Sequence, residues 1–362
     1  MNDTSSMVLV GIGGGGCAIA RGVRRAFGDR LRFLMIDTDA STDQSGESFV
    51  LVGGDRLAGH GSGGDVVAAR LATEDSVDAI APAFEGVRLA VVVTSLGGGT
   101  GGGATIETLK HLADRGIPSV VFATMPFSFE GADRQRAAQG VRPMIEEAAN
   151  ATFLVPLDKL IGDADRMDDA MRRAVDTMAS AITLFWRLVE KPGYLRLDAE
   201  RIRHLVAKAG RGRFAAVTTQ GPGRDEAATD ALMRSPLLAT GAGPVRSILC
   251  GVLAGDDLRL AEIAAVSDGV RSAFGGQSAS FELATVNDEE TFSGRLSVVL
   301  LLFEENGRNE DGKTAGVISR RRRKAGGSAQ GRGRFSNAEP TTWNGEDLDT
   351  PTFLRRNISL DV

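Results

Sequence analysis

The sequence predicts an α/β protein. Its parts are a doubly wound parallel sheet, a long central helix, a smaller α+β second domain, and a disordered C-terminal linker ending in a short tail peptide. Three observations carry that reading. Short apolar runs alternate with helical segments from residue 7 to residue 156. Two glycine-rich stretches each follow an apolar run and open a helix. A long segment of helical period, 168–190, then separates these from a second group of apolar runs.

The elements follow in order. Residues 1–6 are a polar stub. Met7 to Val10 reads as a buried strand, and Gly11, Gly13, Gly14, Gly15 and Gly16 turn into a helix expected from about Cys17 to Phe27. Arg32 to Ile36 is a second strand, ending at Asp37-Thr38-Asp39. Leu89 to Val93 and Ser119 to Ala123 continue the alternation, with a helix expected over Thr105 to Arg115 between them. Phe153 to Pro156 is the last strand of a first domain taken as 7–167. In 168–190, Met171, Ala174, Met178, Ile182, Phe185 and Val189 recur at helical spacing, and Pro192-Gly193 stops the helix. This helix and an inter-subunit loop fill 168–210. Phe214 to Thr219, Val245 to Leu253, Ser280 to Val286 and Leu296 to Phe303 are strands of the second domain, 211–304. Residues 305–345 are rich in Gly, Arg, Asn, Ser and Thr and nearly free of apolar side chains, which predicts a disordered linker. Residues 346–362 regain apolar residues, as a tethered docking peptide does.

Composition narrows the function classes. The chain has 362 residues, 42% hydrophobic and 25% charged, enough for a sizeable core and about two domains. A net charge of −5 gives no global attraction for nucleic acid, so no specific nucleic-acid partner is expected. The Arg320 to Lys324 run suits contact with a membrane surface or nucleic acid, though a solvated charge run in the linker is the reading its composition favours. Cys17 and Cys250 sit in apolar surroundings and exclude a disulfide scaffold. Neither a secretory leader nor an apolar run long enough for a bilayer is visible, so a cytoplasmic protein is expected.

The most informative stretch is Gly97 to Gly103, six glycines around Thr100. Backbone without Cβ atoms admits close approach, and a glycine turn opening a helix aims N–H groups and the positive dipole end at one point, which suits a phosphate. Gly11 to Gly16 fits G-x-G-x-x-G after a strand, with Asp37 about twenty residues on. Alone, that pattern suits a dinucleotide enzyme. A second glycine loop on another strand favours instead a nucleotide di- or triphosphate gripped from two sides. No G-x-x-x-x-G-K-[ST] sequence occurs, which disfavours a Walker-type NTPase.

These residues resemble the FtsZ and tubulin superfamily, nearer its bacterial cell-division branch than tubulin. Gly97 to Gly103 is similar to the signature GGGTG(T/S)G, and Gly11 to Gly16 to the first nucleotide loop. Ile36 to Ala40 resembles NTDA, Met125 to Gly131 resembles KPFSFEG, Leu154 to Leu160 resembles IPNDKL, and Ser235 to Leu238 matches SPLL. Leu348 to Arg356 resembles the C-terminal peptide that docks membrane anchors. The likeness runs in order along nearly the whole chain, tail included.

The resemblance implies GTP or GDP held by Gly14, Gly15 and Gly16 and by Gly98, Gly99, Thr100, Gly101, Gly102 and Gly103. Any Mg²⁺ would be carried by the phosphates, since no His, Cys or acidic cluster has metal-ligand spacing. Glu130 and Arg134 match the acid and arginine that contact the sugar and phosphate side. Their i,i+4 spacing also suits an exposed ion pair. In the family, one subunit inserts acids in the pattern N-x-D-x-x-D into the next subunit's site. Here that stretch is Arg196 to Arg201: Asp198 is kept as the catalytic candidate, while Arg201 replaces the final acid and Arg196 the asparagine. An arginine cannot act as a base. It can donate charge to phosphate, or mark an altered subunit contact.

Other departures gather where the family reads the base. Its asparagines become Ala18, Leu157 and Val175, and its base-packing phenylalanine becomes Met171. A second signature hydroxyl becomes Gly102. His60 lies in a glycine loop that matches a phosphate loop of the family, and His111 and His204 lie on helices. The implied protein is an FtsZ-like GTPase that polymerises head to tail in a septal ring at the inner membrane face. Leu348, Pro351, Phe353, Leu354 and Arg355 would dock a membrane-anchoring division protein. The departures raise a second reading: a catalytically impaired pseudo-GTPase that co-assembles with, or regulates, a true FtsZ. An NAD-binding oxidoreductase, resting on the first loop and Asp37, is a third.

Overall fold

The computed structural model describes residues 6–43, 48–161, 166–190, 193–197, 199–206, 210–240, 243–275 and 279–304, with 342–343 and 346–347. Asp198, the linker up to residue 341, and the tail residues Leu348, Pro351, Phe353, Leu354 and Arg355 lie outside the described residues.

The first half contains the expected strands, buried on both faces, and adds a short, partly exposed edge strand at Phe49–Leu51 that the sequence reading did not name. β1 (Met7–Ile12), β2 (Phe33–Asp37), β3 (Phe49–Leu51), β4 (Leu89–Ser95), β5 (Ser119–Met125) and β6 (Ala151–Pro156) are all parallel to their neighbours. Uninterrupted apolar runs such as Leu89 to Val93 are what a doubly covered parallel strand requires. The helices between them are α1 (Gly13–Phe27), α2 (Gly54–Leu57), α3 (Val66–Glu74), α4 (Val77–Ile80), α5 (Gly99–Asp114) and α6 (Ala132–Ala148). Alternate residues of β1 divide between two layers: Leu9 packs with α1 residues such as Ile19 and Val23, and Val8, Val10 and Ile12 pack with α5 residues such as Leu109 and Leu112.

The long helix α7 (Met167–Glu190) lies in the first of those layers. Its buried side chains, including Met178, Ile182, Phe185 and Trp186, join a core that continues into the second half. After α8 (Ala199–Val206) come β7 (Arg211–Gln220), α9 (Arg224–Met233), β8 (Val245–Ala254), α10 (Leu260–Phe274), β9 (Ser280–Asn287), α11 (Glu289–Phe292) and β10 (Arg295–Glu304). Here β10 runs antiparallel to both β7 and β8, and β9 parallel to β8.

All ten strands form one sheet in the order β3-β2-β1-β4-β5-β6-β7-β10-β8-β9. The halves meet at β6 and β7 through only two residue pairs, Thr152↔Arg211 and Phe153↔Gly212. Gly212 permits that junction, because a Cβ there would collide with the Phe153 ring. By itself, the C-terminal region has β11 (Thr342–Trp343) paired antiparallel with β12 (Glu346–Asp347), a pairing at the end of the predicted linker that the composition did not announce.

Element ends differ from expectation mainly at the two glycine stretches. The helices begin at Gly13 and Gly99, not at Cys17 and Thr105. Glycine weakens helix interiors, which argues for a loop. In a first turn the N–H groups have no intrahelical partner anyway, and close packing can demand the missing Cβ. Cys17 and Cys250 are buried and unbridged, as expected. Among the described residues no helix is long and apolar enough to cross a membrane.

Away from the sheet's ligand edge, Arg224 at the start of α9 is almost fully buried. It bonds Glu262 through Nε (2.7 Å) and Asp257 through Nη1 (2.8 Å). The Arg224 guanidinium holds the Glu262 carboxyl below its ordinary value of 4.5. A lowered carboxyl contributes stability that is fully present above that value and is lost as pH falls through the folded-state value. The expected result is that Glu262→Gln lowers the urea midpoint at pH 7, and that the gap to wild type narrows below pH 4.5. A gap that stays constant with pH would contradict the pairing.

Candidate phosphate-binding site

The strand order reverses direction between β1 and β4: β2 and β3 lie to one side of β1, and β4 onward to the other. In open α/β sheets the crevice outside the carboxyl ends of such strands is where ligands bind. Both glycine stretches stand there. Helix α1 leaves β1 on one face of the sheet, and α5 leaves β4 on the other. Their first turns meet: a Cβ on Gly13 would lie 3.2 Å from the Gly101 nitrogen and 3.7 Å from the Thr100 Cβ. Neither helix has a side chain capping its first turn, at Ile12 or at Gly98. Two sets of orphan N–H groups and two positive dipole ends therefore converge on one anion-sized place.

The glycines divide into two kinds. A Cβ on Gly14 or Gly98 would meet nothing within 4 Å, so these two face open space. The others are glycine because the protein itself comes close. A Cβ on Gly16 would strike the Val93 carbonyl oxygen, one on Gly15 the Ser95 hydroxyl, and one on Gly101 the Ser95 carbonyl oxygen. Gly99 is closed by Ser62 and Asp65, Gly103 by the backbone of Val66 and Arg70, and Gly102 by Val141 Cγ1 at 3.0 Å. Gly14 and Gly98 thus leave room beside the backbone, while the remaining glycines press the two helix starts onto each other and onto β4, α3 and α6.

Hydroxyls line the α5 start. Thr38 Oγ1 lies 2.7 Å from Thr100 Oγ1, and Ser62 Oγ 3.4 Å from it. Thr94 Oγ1 donates to the Gly101 carbonyl at 2.8 Å, and Thr124 Oγ1 donates to Ser95 Oγ at 2.8 Å. Sequence reading singled out Thr100 but not Ser62, Ser95 or Thr94. The available signal was Thr94-Ser95 at the carboxyl end of β4 and Ser62 between two glycines.

The loops after β2 and α2 are tied together beside this edge. Ala40 N donates to the Gly59 carbonyl at 2.9 Å and Gly61 N to the Thr38 carbonyl at 3.0 Å. Asp39 and His60 form a backbone bridge, and His60 is exposed. Hydrogen bonds from Ser41, with the nearby His60 charge, hold the Asp39 carboxyl below its usual range. Asp37, buried at the end of β2, has its carboxyl pushed up by burial, although it accepts from Thr38 N at 2.7 Å.

Glu130 and Arg134 are brought to the same edge: a Cβ on Gly97 (φ +97°) would lie 3.1 Å from Pro126 Cγ and 3.2 Å from the Arg134 carbonyl oxygen. They pair with each other: Arg134 Nη1 donates to Glu130 Oε2 at 2.7 Å, and Phe127 N donates to Glu130 Oε1 at 2.9 Å. Glu130 therefore spends both oxygens on shaping its own loop, whereas Arg134 remains largely exposed. Asp158 ties that loop to the next by accepting from Ser128 N at 3.0 Å. Leu157, in place of an amide, is buried with Phe127, Ala170 and Ala174 in a small apolar cluster.

Arg196 and Arg201 lie elsewhere, near the far end of α7. Arg201 forms an ion pair with Glu282 on β9, while Glu200 pairs with Arg88. Tyr194, Leu195 and Arg196 are exposed. Among the described residues no group of three or more His, Cys, Asp or Glu is placed to hold a metal ion. The open faces of Gly14 and Gly98 and the uncapped helix starts fit a phosphate ligand, and any Mg²⁺ would come with it.

Residues 6–165 match the sequence profile of the Tubulin/FtsZ family, GTPase domain. Over 360 residues the chain is 27% identical to the cell division protein FtsZ of Pseudomonas aeruginosa, covering 98% of this chain and 89% of that one. It is 29% identical to the FtsZ of Wigglesworthia glossinidia brevipalpis, covering 79% and 78%. Its fold matches an empty FtsZ dimer from M. jannaschii (TM-score 0.76, 22% identity, 84% of this chain and 89% of that one). It also matches CetZ2 from Haloferax volcanii, solved as a GTPγS-bound protofilament (TM-score 0.68, 22% identity, 82% and 92%).

Proposed function

The chain is a divergent member of the FtsZ/tubulin superfamily, and from that premise we propose that it is a GTP-binding cytoskeletal protein of cell division that assembles head to tail. One observation carries the reading: two uncapped helix starts, α1 and α5, meet at the carboxyl edge of β1 and β4 with Gly14 and Gly98 open toward the ligand. The N–H groups of both first turns hold the phosphates. Thr100, with Thr38 and Ser62, supplies hydroxyl donors. Arg134, paired with Glu130 but largely exposed, turns toward phosphate charge when the ligand is bound. Polymerisation follows if a different face of the next copy covers this edge, because a heterologous contact that does not close yields an open filament. The tail from Leu348 to Arg355 then docks a membrane-anchoring division protein.

Denaturing the purified protein and separating the released small molecules is expected to yield GTP or GDP. Adding GTP to the concentrated protein is expected to move it into the pellet on high-speed centrifugation. A protein that carries and binds no nucleotide would refute the reading, and one that binds but never sediments would refute assembly.

A second reading is favoured by a specific observation. Arg201 stands where the family places an acid, and it is paired with Glu282 rather than extended as a free cation. That supports a chain which binds nucleotide and joins filaments, alone or with a true FtsZ, while hydrolysing slowly or not at all. Phosphate release at the rate of an ordinary FtsZ, abolished by Asp198→Ala, would refute it.

A further inference from the structure

Helix α5 has unspent polar atoms toward its far end. His111 Nε2, Glu107 Oε2 and Thr108 Oγ1 are sealed from solvent, and among the described residues none has a hydrogen-bond partner. Buried polar atoms are nearly always paired, so such a group on adjoining turns needs a physical cause. Glu107 is buried and spends its other oxygen on Lys110 Nζ at 2.9 Å. One turn on, the His111 ring stands 5.9 Å from the ring of buried Phe84. Phe84 closes the turn Ala81–Phe84 that follows α4. Arg115 Nη1 donates to the Ala81 carbonyl at 3.0 Å and Arg32 Nη2 to the Ala83 carbonyl at 2.9 Å, which fastens that turn over the end of α5. At the other end of α5, Gly99 is closed by Ser62 and Asp65, and Gly103 by Val66 and Arg70. Gly99, Gly103, Glu107 and His111 are every fourth residue, so one row of the helix runs from the phosphate cradle to the imidazole.

We propose that His111 is an acid-operated latch on α5. Neutral, it lets the segment from α3 to Phe84 close over the helix. Charged, it loosens that contact and, through α3 and Ser62, weakens the phosphate site. The inference rests on the reading that the phosphates sit at the start of α5. An imidazolium carries a proton on both ring nitrogens. Charging therefore puts a charged N–H at Nε2, which is buried without an acceptor, and such a donor is costly to leave unpaired. Glu107 Oε2, one turn away, is a matching acceptor. The two are unpaired as they stand, so their meeting requires the packing around the Phe84 ring to shift. Burial, then the Arg115 charge, hold the imidazole below its ordinary value of 6.5, against the pull of Asp114, Glu107 and Asp78. Glu74, at the end of α3, acts on Lys110. A lowered histidine contributes stability that is fully present above 6.5 and is lost as pH falls through the folded-state value. Acid is therefore the direction that opens the latch.

The test measures thermal unfolding and GTP affinity of the full-length wild type and of His111→Phe at about pH 7.5 and about pH 5.5, which span the charge change of histidine. Phenylalanine keeps a ring against Phe84 and takes up no proton. His60 and the nucleotide's own phosphates are present in both proteins, so the comparison cancels them. The expected result is that acid lowers the melting temperature of the wild type more than that of His111→Phe. The wild-type affinity for GTP should also fall about tenfold further than the variant's, the equivalent of one pKa unit. Equal acid losses in the two proteins would overturn the latch. A wild-type loss of melting temperature with equal losses of GTP affinity would overturn its coupling to the phosphate site. Failure to bind GTP at either pH would refute the phosphate reading, and the melts would then decide the latch by themselves. If His111→Phe does not fold, His111→Gln, uncharged at every pH, takes its place with the same expected results.

Discussion

Replacing Gly101 with alanine is expected to weaken GTP binding by about a hundredfold or more, the size of loss that follows when binding groups shift by about 1 Å. The added Cβ would strike the carbonyl oxygen of Ser95, at the end of β4. Neither partner can yield: Ser95 is held in register by β5, and Gly101 lies in the first turn of α5, its carbonyl bonded by Thr94 at 2.8 Å. Helix α5 must therefore move off β4, and its first-turn N–H groups leave the point where those of α1 converge. The melting temperature should fall as well, since α5 is buried along most of its length. Gly14→Ala separates packing from ligand contact. Its Cβ meets nothing within 4 Å, so the fold and melting temperature should be unchanged while the ligand loses room. Titration calorimetry and thermal melts on both variants check this. A Gly101→Ala protein that binds GTP like wild type would refute the assigned cradle.

The second large effect concerns the joint between the two halves. Arg187 of α7 is buried, donates to Asp288 Oδ2 at 3.2 Å, and has its guanidinium 5.2 Å from the Phe27 ring and 5.8 Å from the Phe292 ring. Phe27 ends α1, whereas Asp288 and Phe292 flank the last turn before β10. One cation therefore connects α1, which starts at the proposed phosphate site, to the far part of the second half. Arg187→Ala leaves a buried carboxylate without its cation, and such losses cost about 3–5 kcal/mol. Urea denaturation should show a loss of that order. The double variant Arg187→Met with Asp288→Asn should recover much of it, because replacing both charges removes the uncompensated one. A loss below about 1 kcal/mol would mean that Asp288 finds another partner, such as Thr291 Oγ1 at 2.8 Å, at little cost.

Much of the fold was legible because its signals are local. Leu89 to Val93 announced a strand buried on both faces by lacking any polar interruption, and the spacing of Met178, Ile182 and Phe185 announced one face of α7. The glycine stretches announced backbone exposed to a ligand, and their order along the chain with the other motifs pointed to the family. The misplaced helix starts at Gly13 and Gly99 have a clear cause: a rule about helix interiors was applied to a first turn. Arg201 was open between a phosphate-directed cation and a surface change. Its partner Glu282 is 81 residues away, so no local pattern could decide.

The same limit applies to the hydroxyls at the α5 start, where Thr38 and Thr100 are 62 residues apart. It applies also to Glu130, whose second oxygen is occupied by the backbone of its own turn. The sequence by itself determined the elements, their alternation and the two glycine stretches that open helices, because hydrophobic period and turn chemistry act over a few residues. The tertiary structure alone decided which glycines face open space and which face the protein. That difference is set by atoms brought close from distant parts of the chain, the carbonyls of Val93 beside Gly16 and of Val66 beside Gly103 among them, and steric exclusion at a missing Cβ leaves no mark in the residue's own neighbourhood.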